Sequence, residues 1–374
     1  VPRVSLLISD LARAGAETQL VELALGLDRR RWDVEIVLLK SRNDFAEPLA
    51  RAGIPVLALG RRGPLDLGAL RRLARHLHER RPDVLHASLF LANLHAVLAT
   101  RRAAVPALVL SVRSCYETTL PPLWRRVARL SHRAADRLIA NSRAALEEEA
   151  RAGFPRERLV HVPNGLRLTA EPPLPRAALG LPEGPLVLAL GQLDPVKGHR
   201  HLLAAWPEVQ SRHPTARLAL VGAGPLRAEL EHSARGLGVS FLGFRSPATA
   251  HLAACDLFVQ PSLSEGLPNA VLEAMAQGRA VIGSRVGGIP ELVEHDVTGL
   301  LVSAADPAAL AAAIVELLGD PERRARLGAE GRRRVAQRYS VEAMVAATER
   351  VWLELLGERA SASEPNSNGP TLVP

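Results

Sequence analysis

Short apolar runs alternate with longer amphipathic stretches along this chain, and the alternation stops once and starts again. The runs Val4–Ile8, Val34–Leu39, Val56–Ala58, Val84–Ala87, Ala107–Val112, Leu138–Ala140 and Leu159–Val162 read as buried strands. Between them Glu17–Leu27, Gly68–Arg80, Leu123–Ala135 and Ser142–Ala152 read as helices. A Pro- and Leu-rich segment, Leu166–Gly184, then interrupts the pattern as an interdomain linker does. The alternation resumes with strands at Leu186–Leu190, Leu218–Val221, Val239–Leu242, Leu257–Val259, Ala280–Ser284 and Leu300–Val302. His199–Arg212, Pro225–Gly236 and Pro247–Ala254 are the helices among them, and Ala308–Leu318, Glu322–Tyr339 and Val341–Leu356 follow. Strands that alternate with helices pair in parallel. The expected fold class is therefore α/β, with two Rossmann-like, doubly wound domains facing each other across a cleft. Expected boundaries are 1–166 for the first domain, 167–184 for the linker and 185–340 for the second domain. The polar stretch 358–374 is expected to be a disordered tail.

Composition narrows the partners. The chain has 374 residues, 47% of them apolar, yet no apolar run approaches the ~20 residues of a membrane span. Val1 to Ile8 lack the pattern of a signal peptide. Cys115 and Cys255 are the only cysteines, too few for a disulfide framework or a zinc pattern, so a reducing, cytoplasmic compartment is expected. The net charge of +8 suits an anionic partner. Aromatic residues make up only 3%, and no zinc finger, basic zipper or RNA-stacking motif is present, which argues against nucleic acid. Nearly all the basic residues are Arg. Lys40 and Lys197 are the only lysines, which singles out Lys197 in a loop after a strand.

The stretch Ser262 to Gln277 carries the clearest chemistry. Pro261 and Gly266 break the chain, Pro268 suits a first helical position, and Gly278 suits the position past the last turn. Glu265 thus falls in a loop and Glu273 on a helix. A loop that delivers free N–H groups to a helix N-terminus favours an anion. Two carboxylates beside such a site suggest a ligand rich in hydroxyls and joined to a phosphate, as a nucleotide sugar is. An isolated pair of this kind is more often a solvated surface pair. Gly15, in Arg13-Ala-Gly15-Ala-Glu17, lets the backbone approach a ligand at another helix mouth. Gly191-Gln-Leu-Asp194-Pro-Val-Lys197-Gly198 resembles a phosphate loop without being a Walker A sequence. Gly222-Ala-Gly224 imitates a dinucleotide fingerprint, but Arg227 occupies the third glycine position. His76 and His78, like His199 and His201, lie two apart, so no metal site is expected. Residues 70–81 and 123–130 form basic amphipathic helices, each a candidate for peripheral contact with an anionic membrane.

Taken together, these loops resemble glycosyltransferase family 4, retaining transferases of the two-domain GT-B fold, from about Val4 to Leu356. The strongest match is Glu265-Gly-Leu-Pro-Asn269-Ala-Val-Leu-Glu273-Ala-Met-Ala-Gln-Gly278, which looks like the family's Glu-x7-Glu motif. Pro261-Ser262, Val286-Gly-Gly-Ile-Pro-Glu291 and Thr298-Gly299 agree with its flanks. The resemblance implies an acceptor-side N-terminal domain, a nucleotide-sugar-binding C-terminal domain and a final helix, 341–357, that crosses back to the first domain. It implies that Glu265, with Gly266, Leu267, Pro268 and Asn269, holds the donor sugar, that Glu273 holds the ribose, and that Lys197 binds the diphosphate. Gly15 and Ala16 would close the diphosphate side, and Gly243-Phe244-Arg245 would line the base. No cofactor or metal is implied. A hexose-type sugar would pass from a nucleoside-diphosphate sugar to a saccharide or lipid-linked acceptor in cell-surface glycan biosynthesis, at the inner face of the membrane.

Several positions depart from the family pattern. Gln192 replaces a frequent Arg, so half a cationic clamp is missing unless Arg245, Arg285 or Arg200 substitutes. Arg113 stands at the end of the fifth strand, where many members carry His, and implies an anionic acceptor or a compensating phosphate contact. Ala14 replaces a Gly, and Arg167 replaces an Asp after Asn164-Gly165. Other readings are another GT-B activity, such as a nucleotide-sugar epimerase or a phosphorylase, and a non-catalytic scaffold.

Overall fold

The structure, a computed structural model, describes residues 1–63, 66–114, 120–168 and 174–363, with side chains through Arg359. Cys115, linker residues 169–173 and tail residues 364–374 lie outside the described residues.

All of the expected strands form. The first domain holds β1 (Arg3–Ile8), β2 (Asp33–Leu38), β3 (Val56–Ala58), β4 (Val84–Ser88), β5 (Ala107–Val112), β6 (Arg137–Ala140) and β7 (Leu159–His161). The second holds β8 (Leu186–Leu190), β9 (Arg217–Val221), β10 (Val239–Gly243), β11 (Leu257–Gln260), β12 (Ala280–Ser284) and β13 (Gly299–Val302). Both sheets are parallel, ordered β3-β2-β1-β4-β5-β6-β7 and β10-β9-β8-β11-β12-β13. Each sheet has apolar layers on both faces, so its strands read as unbroken apolar runs. The strand order reverses between β1 and β4 and between β8 and β11. Loops leaving the carboxyl ends of strands at such switch points bound a crevice.

The two domains are tied where the chain crosses between them. Leu166 donates its N–H to the Tyr339 carbonyl at 2.7 Å, so the outgoing and returning segments run side by side. The final helix, Val341–Ser363, then packs on Gly15–Gly26 of the first domain. Its Met344, Val345, Trp352 and Leu355 join the core of Val4, Leu6 and Trp32, with the Trp32 and Trp352 rings edge to face at 5.2 Å. This helix runs past residue 357, where the tail was expected to begin. Glu358 pairs with Arg137 at 2.5 Å and Arg359 with Asp136 at 2.8 Å, which holds its last turns on the first domain. A further helix, Phe90–Thr100, had no counterpart in the sequence reading.

The glycine pair Gly222-Ala-Gly224 has a structural explanation. A Cβ on Gly222 would meet the Gly191 carbonyl oxygen at 1.8 Å, and one on Gly224 the Leu193 carbonyl oxygen at 2.4 Å. These glycines let the β8 and β9 loops pack, without a dinucleotide.

Candidate active site

The cleft between the domains encloses about 280 Å³ and is lined by the loops that follow β1, β5, β6, β7, β8 and β11. Its C-terminal wall is built from two loops locked together. Asp194 accepts the Lys197 N–H at 3.1 Å, which winds Pro195–Lys197 into a tight turn. Leu263 of the β11 loop donates to the Val196 carbonyl at 2.7 Å. Together these contacts bring Lys197 Nζ to Glu265 Oε1, at 2.7 Å. The same oxygen accepts from Ser262 Oγ at 2.7 Å and Gln260 Nε2 at 3.0 Å, so Glu265 is buried and its carboxylate is fixed in place. Behind it, Gly287 has φ +50°, and a Cβ there would meet the Glu265 carbonyl oxygen at 1.8 Å. Gly288 donates to the Gly266 carbonyl at 2.7 Å. The Val286–Gly288 turn therefore braces the Glu265 loop, which accounts for its two glycines.

The helix Asn269–Ala276 opens into this cleft with Pro268 as its cap, one residue earlier than the expected first helical position. No side chain caps that end, so its leading N–H groups stay available to a ligand. Glu273 lies one turn further along and lines a separate recess of about 120 Å³, beside Leu166, Thr249, Gln277 and Arg332. Burial pushes the Glu273 carboxyl up to about 7.

The N-terminal wall supplies Gly15, Ala16, Arg113, Ser114, Asn141 and Asn164. Burial pulls the Arg113 guanidinium down to about 10, with Glu17 acting in the other direction. Its Nη1 donates to Asn164 Oδ1 at 3.0 Å. Asn164 Nδ2 in turn donates across the cleft floor to the Leu267 carbonyl and to Asn269 Oδ1, both at 2.8 Å. Asn269 Nδ2 donates back to the Gly15 carbonyl at 3.1 Å, and Gln19 holds both backbone groups of Gly165. Sequence reasoning named Asn269 as a donor contact and Asn164 as part of a turn, but missed the amide network that these two form with Gln19 and Asn141.

The cleft gathers Gly15, Ala16, Arg113, Lys197, Glu265, Gly266, Leu267, Pro268 and Asn269 from the sequence reading. Gln192, Gly243, Phe244 and Arg245 do not line it. Gln192, Phe244 and Arg245 are exposed, at the ends of β8 and β10. None of the suggested substitute arginines reaches the cleft lining. Arg200 is bound to Glu229 at 2.5 Å, Arg245 donates to the Phe244 carbonyl, and Arg285 faces solvent. Arg167 pairs with Glu22 at 3.0 Å. Among the described residues, no cluster of three or more His, Cys, Asp or Glu side chains could hold a metal ion.

Residues 13–169 match the family described as Glycosyltransferase Family 4, and residues 184–320 match that described as Glycosyl transferases group 1. The D-inositol 3-phosphate glycosyltransferase of Thermobispora bispora is 31% identical over 349 residues, covering 85% of this chain and 80% of that protein. The chain belongs to glycosyltransferase family 4. The chain spans less than two thirds of the length of two further relatives that it matches. The GDP-mannose-dependent alpha-(1-6)-phosphatidylinositol monomannoside mannosyltransferase of Mycolicibacterium smegmatis is 36% identical over 230 residues, 56% of this chain and 60% of that protein. The sulfoquinovosyl transferase SQD2 of Arabidopsis thaliana is 29% identical over 291 residues, 72% of this chain and 56% of that protein. The chain also shares its fold with Anabaena HepE, solved with UDP and glucose: TM-score 0.84 at 24% identity, over 95% of this chain and all of that one. The fold is GT-B.

Proposed function

We propose that this glycosyltransferase moves a hexose-type sugar, with retention and without a metal, from a nucleoside-diphosphate sugar to a saccharide or lipid-linked acceptor in cell-surface glycan biosynthesis. The Lys197–Glu265 pair at the uncapped mouth of the Asn269–Ala276 helix carries this reading. The bond from the anomeric carbon to the phosphate oxygen breaks, and charge grows on the diphosphate. Lys197 and the N–H groups of Gly266 and Leu267 meet that charge, preorganised and half-shielded from water. Glu265 accepts hydroxyls of the donor sugar, and Glu273 accepts the ribose hydroxyls. Gly243 to Arg245, outside the cleft lining, would meet the base, and Gln192 would stand beside the diphosphate. The acceptor hydroxyl adds on the face the diphosphate leaves, and its proton passes to the departing phosphate oxygen.

Two observations support retention by this front-face route. The carboxylates lining the cleft are Glu265 and Asp194. Glu265 is held by Lys197, Ser262 and Gln260, and Asp194 caps the Lys197 turn, so neither is poised as a nucleophile. A panel of UDP- and GDP-sugars with saccharide acceptors, followed by NMR of the new linkage in the presence of EDTA, tests the reading. Axial donors should give axial products at an undiminished rate. An inverted product, or activity abolished by EDTA, contradicts it.

We also place the enzyme at the cytoplasmic face of a membrane, held by one of the two basic helices. No helix among the described residues is long and apolar enough to cross a membrane. The helix Leu67–Arg80 buries Leu70, Leu73 and Leu77 in the core, so it has no apolar stripe to offer. The helix Pro122–His132 instead leaves Leu123 68% and Leu130 65% exposed, with Arg126 and Arg133 exposed beside them. Leucines that insert and arginines that meet headgroups suit an anionic bilayer. Leu123→Asp with Leu130→Asp should weaken sedimentation with phosphatidylglycerol-rich vesicles by at least roughly 100-fold, from ~1.5 kcal/mol or more per leucine. Equal binding by this variant and the unaltered chain would remove the helix from the account.

A further inference from the structure

Arg113 is a cation in an unusual position. It lines the cleft, and its Nε is buried without a hydrogen-bond partner. Among the described residues its only hydrogen bond goes to the neutral oxygen of Asn164, and no carboxylate comes within ion-pair distance. Glu17, whose own pKa is raised by burial, acts on it only from beyond ion-pair distance. A half-buried guanidinium whose Nε is buried without a partner and which lacks an anion is costly, and such a group is expected where the anion arrives with a substrate. The other cation of the cleft, Lys197, already has Glu265.

We propose that Arg113 receives an anionic group, a phosphate or a carboxylate, carried by the acceptor, so that this enzyme selects charged acceptors over neutral ones. The inference rests on the transferase reading above and names the acceptor class that reading leaves open. The wall from which Arg113 projects decides between acceptor and donor. Lys197, the Glu265 loop and the uncapped helix mouth all belong to the C-terminal domain and already supply positive potential for a diphosphate. Arg113 follows β5 in the opposite domain and is held by Asn164, which also bonds Leu267 and Asn269. The amide bridge thereby fixes the guanidinium relative to the donor loop. With Nη1 held by Asn164 and Nε buried, Nη2 is the guanidinium nitrogen left to donate to an oxyanion.

The test uses the full chain, Arg113→Gln and Arg113→Lys. The melting temperature is read first with a saturating nucleoside diphosphate, then with inorganic phosphate or mannose 6-phosphate added, mannose being the neutral control. The unaltered chain should gain a further rise from the phosphate compounds and none from mannose. Arg113→Gln should lose that rise, Arg113→Lys should keep part of it, and nucleotide affinity should stay within about twofold in both. Turnover on paired acceptors, mannose against mannose 6-phosphate and inositol against inositol phosphate, should favour the charged member. Arg113→Gln should cut that preference by 30-fold or more, mainly through KM.

Three results overturn the proposal. A nucleotide affinity at least tenfold weaker in Arg113→Gln would assign Arg113 to the donor diphosphate. A phosphate response equal in all chains, or present in none, would mean that no acceptor anion docks there. A ligand-free melting temperature several degrees lower in Arg113→Gln would make the side chain a structural member of the amide network. Failure of every nucleotide to stabilise the unaltered chain would instead count against the donor reading. That is a separate outcome, because the phosphate comparison between the unaltered chain and Arg113→Gln can be made without nucleotide.

Discussion

Glu265→Gln is expected to lower kcat/KM by roughly 10²–10³, the scale of removing one preorganised polar contact at a reacting centre. The loss should fall on kcat. Glutamine keeps the shape and can still meet Ser262, but it no longer neutralises Lys197, which now lies 2.7 Å from the carboxylate. Freed of that partner, Lys197 should hold a nucleoside diphosphate at least as tightly as before. Weak turnover with undiminished nucleotide binding is therefore the expected signature, measured by steady-state kinetics beside calorimetric titration. A parallel loss of both would mean that the pair is chiefly structural.

Glu273→Gln should act in the opposite way, on binding before chemistry. In the ligand-free protein burial holds the Glu273 carboxyl at about 7, against an ordinary 4.5. A diol binds best to the ionised form, so nucleotide affinity should fall as pH drops below about 7, by up to tenfold per unit. In Glu273→Gln this pH dependence should vanish, and affinity above pH 7 should be roughly 100-fold weaker, the cost of losing hydrogen bonds to a charged group. Stability should move the other way. The folded pKa lies above the unfolded one, so the folded chain binds the extra proton between pH 4.5 and about 7. Native stability then declines as pH rises through that window and stays lowered above it, by at most about 3 kcal/mol and less where water reaches the recess. Glu273→Gln should accordingly melt higher than the unaltered chain at pH 8, with the advantage shrinking toward pH 4.5. Melting curves across that range, paired with nucleotide titrations, check both signs.

Much of this architecture is legible in the sequence because parallel strands buried on both faces write themselves as apolar runs. Each expected strand, from Val4–Ile8 to Leu300–Val302, agrees with an observed one to within about a residue at either end. Phe90–Thr100 escaped because it packs between the sheet and neighbouring helices, burying Ala92, Asn93, His95, Ala96 and Ala99. A helix covered on several sides has no polar stripe to reveal its period. The Glu265 and Lys197 loops were legible because their glycines and prolines mark breaks, and because lysine is so rare in this chain. Their mutual ion pair was not. It depends on the Leu263–Val196 contact between loops nearly 70 residues apart. The amide network was hidden for a related reason. Gln19, Asn141 and Asn164 meet within the first domain from segments far apart in sequence, and Asn269 joins them only where the second domain closes onto the first.

Everything proposed for this site depends on the cleft beside Lys197 binding a nucleoside diphosphate. Melting temperature with UDP, GDP and ADP, for the unaltered chain and for Lys197→Ala, tests it most directly, since a ligand that binds only the native state must stabilise it. At least one of the three should raise the melting temperature of the unaltered chain, and Lys197→Ala should lose most of the rise. No shift with any of them at millimolar concentration, or an equal shift in both chains, would contradict it.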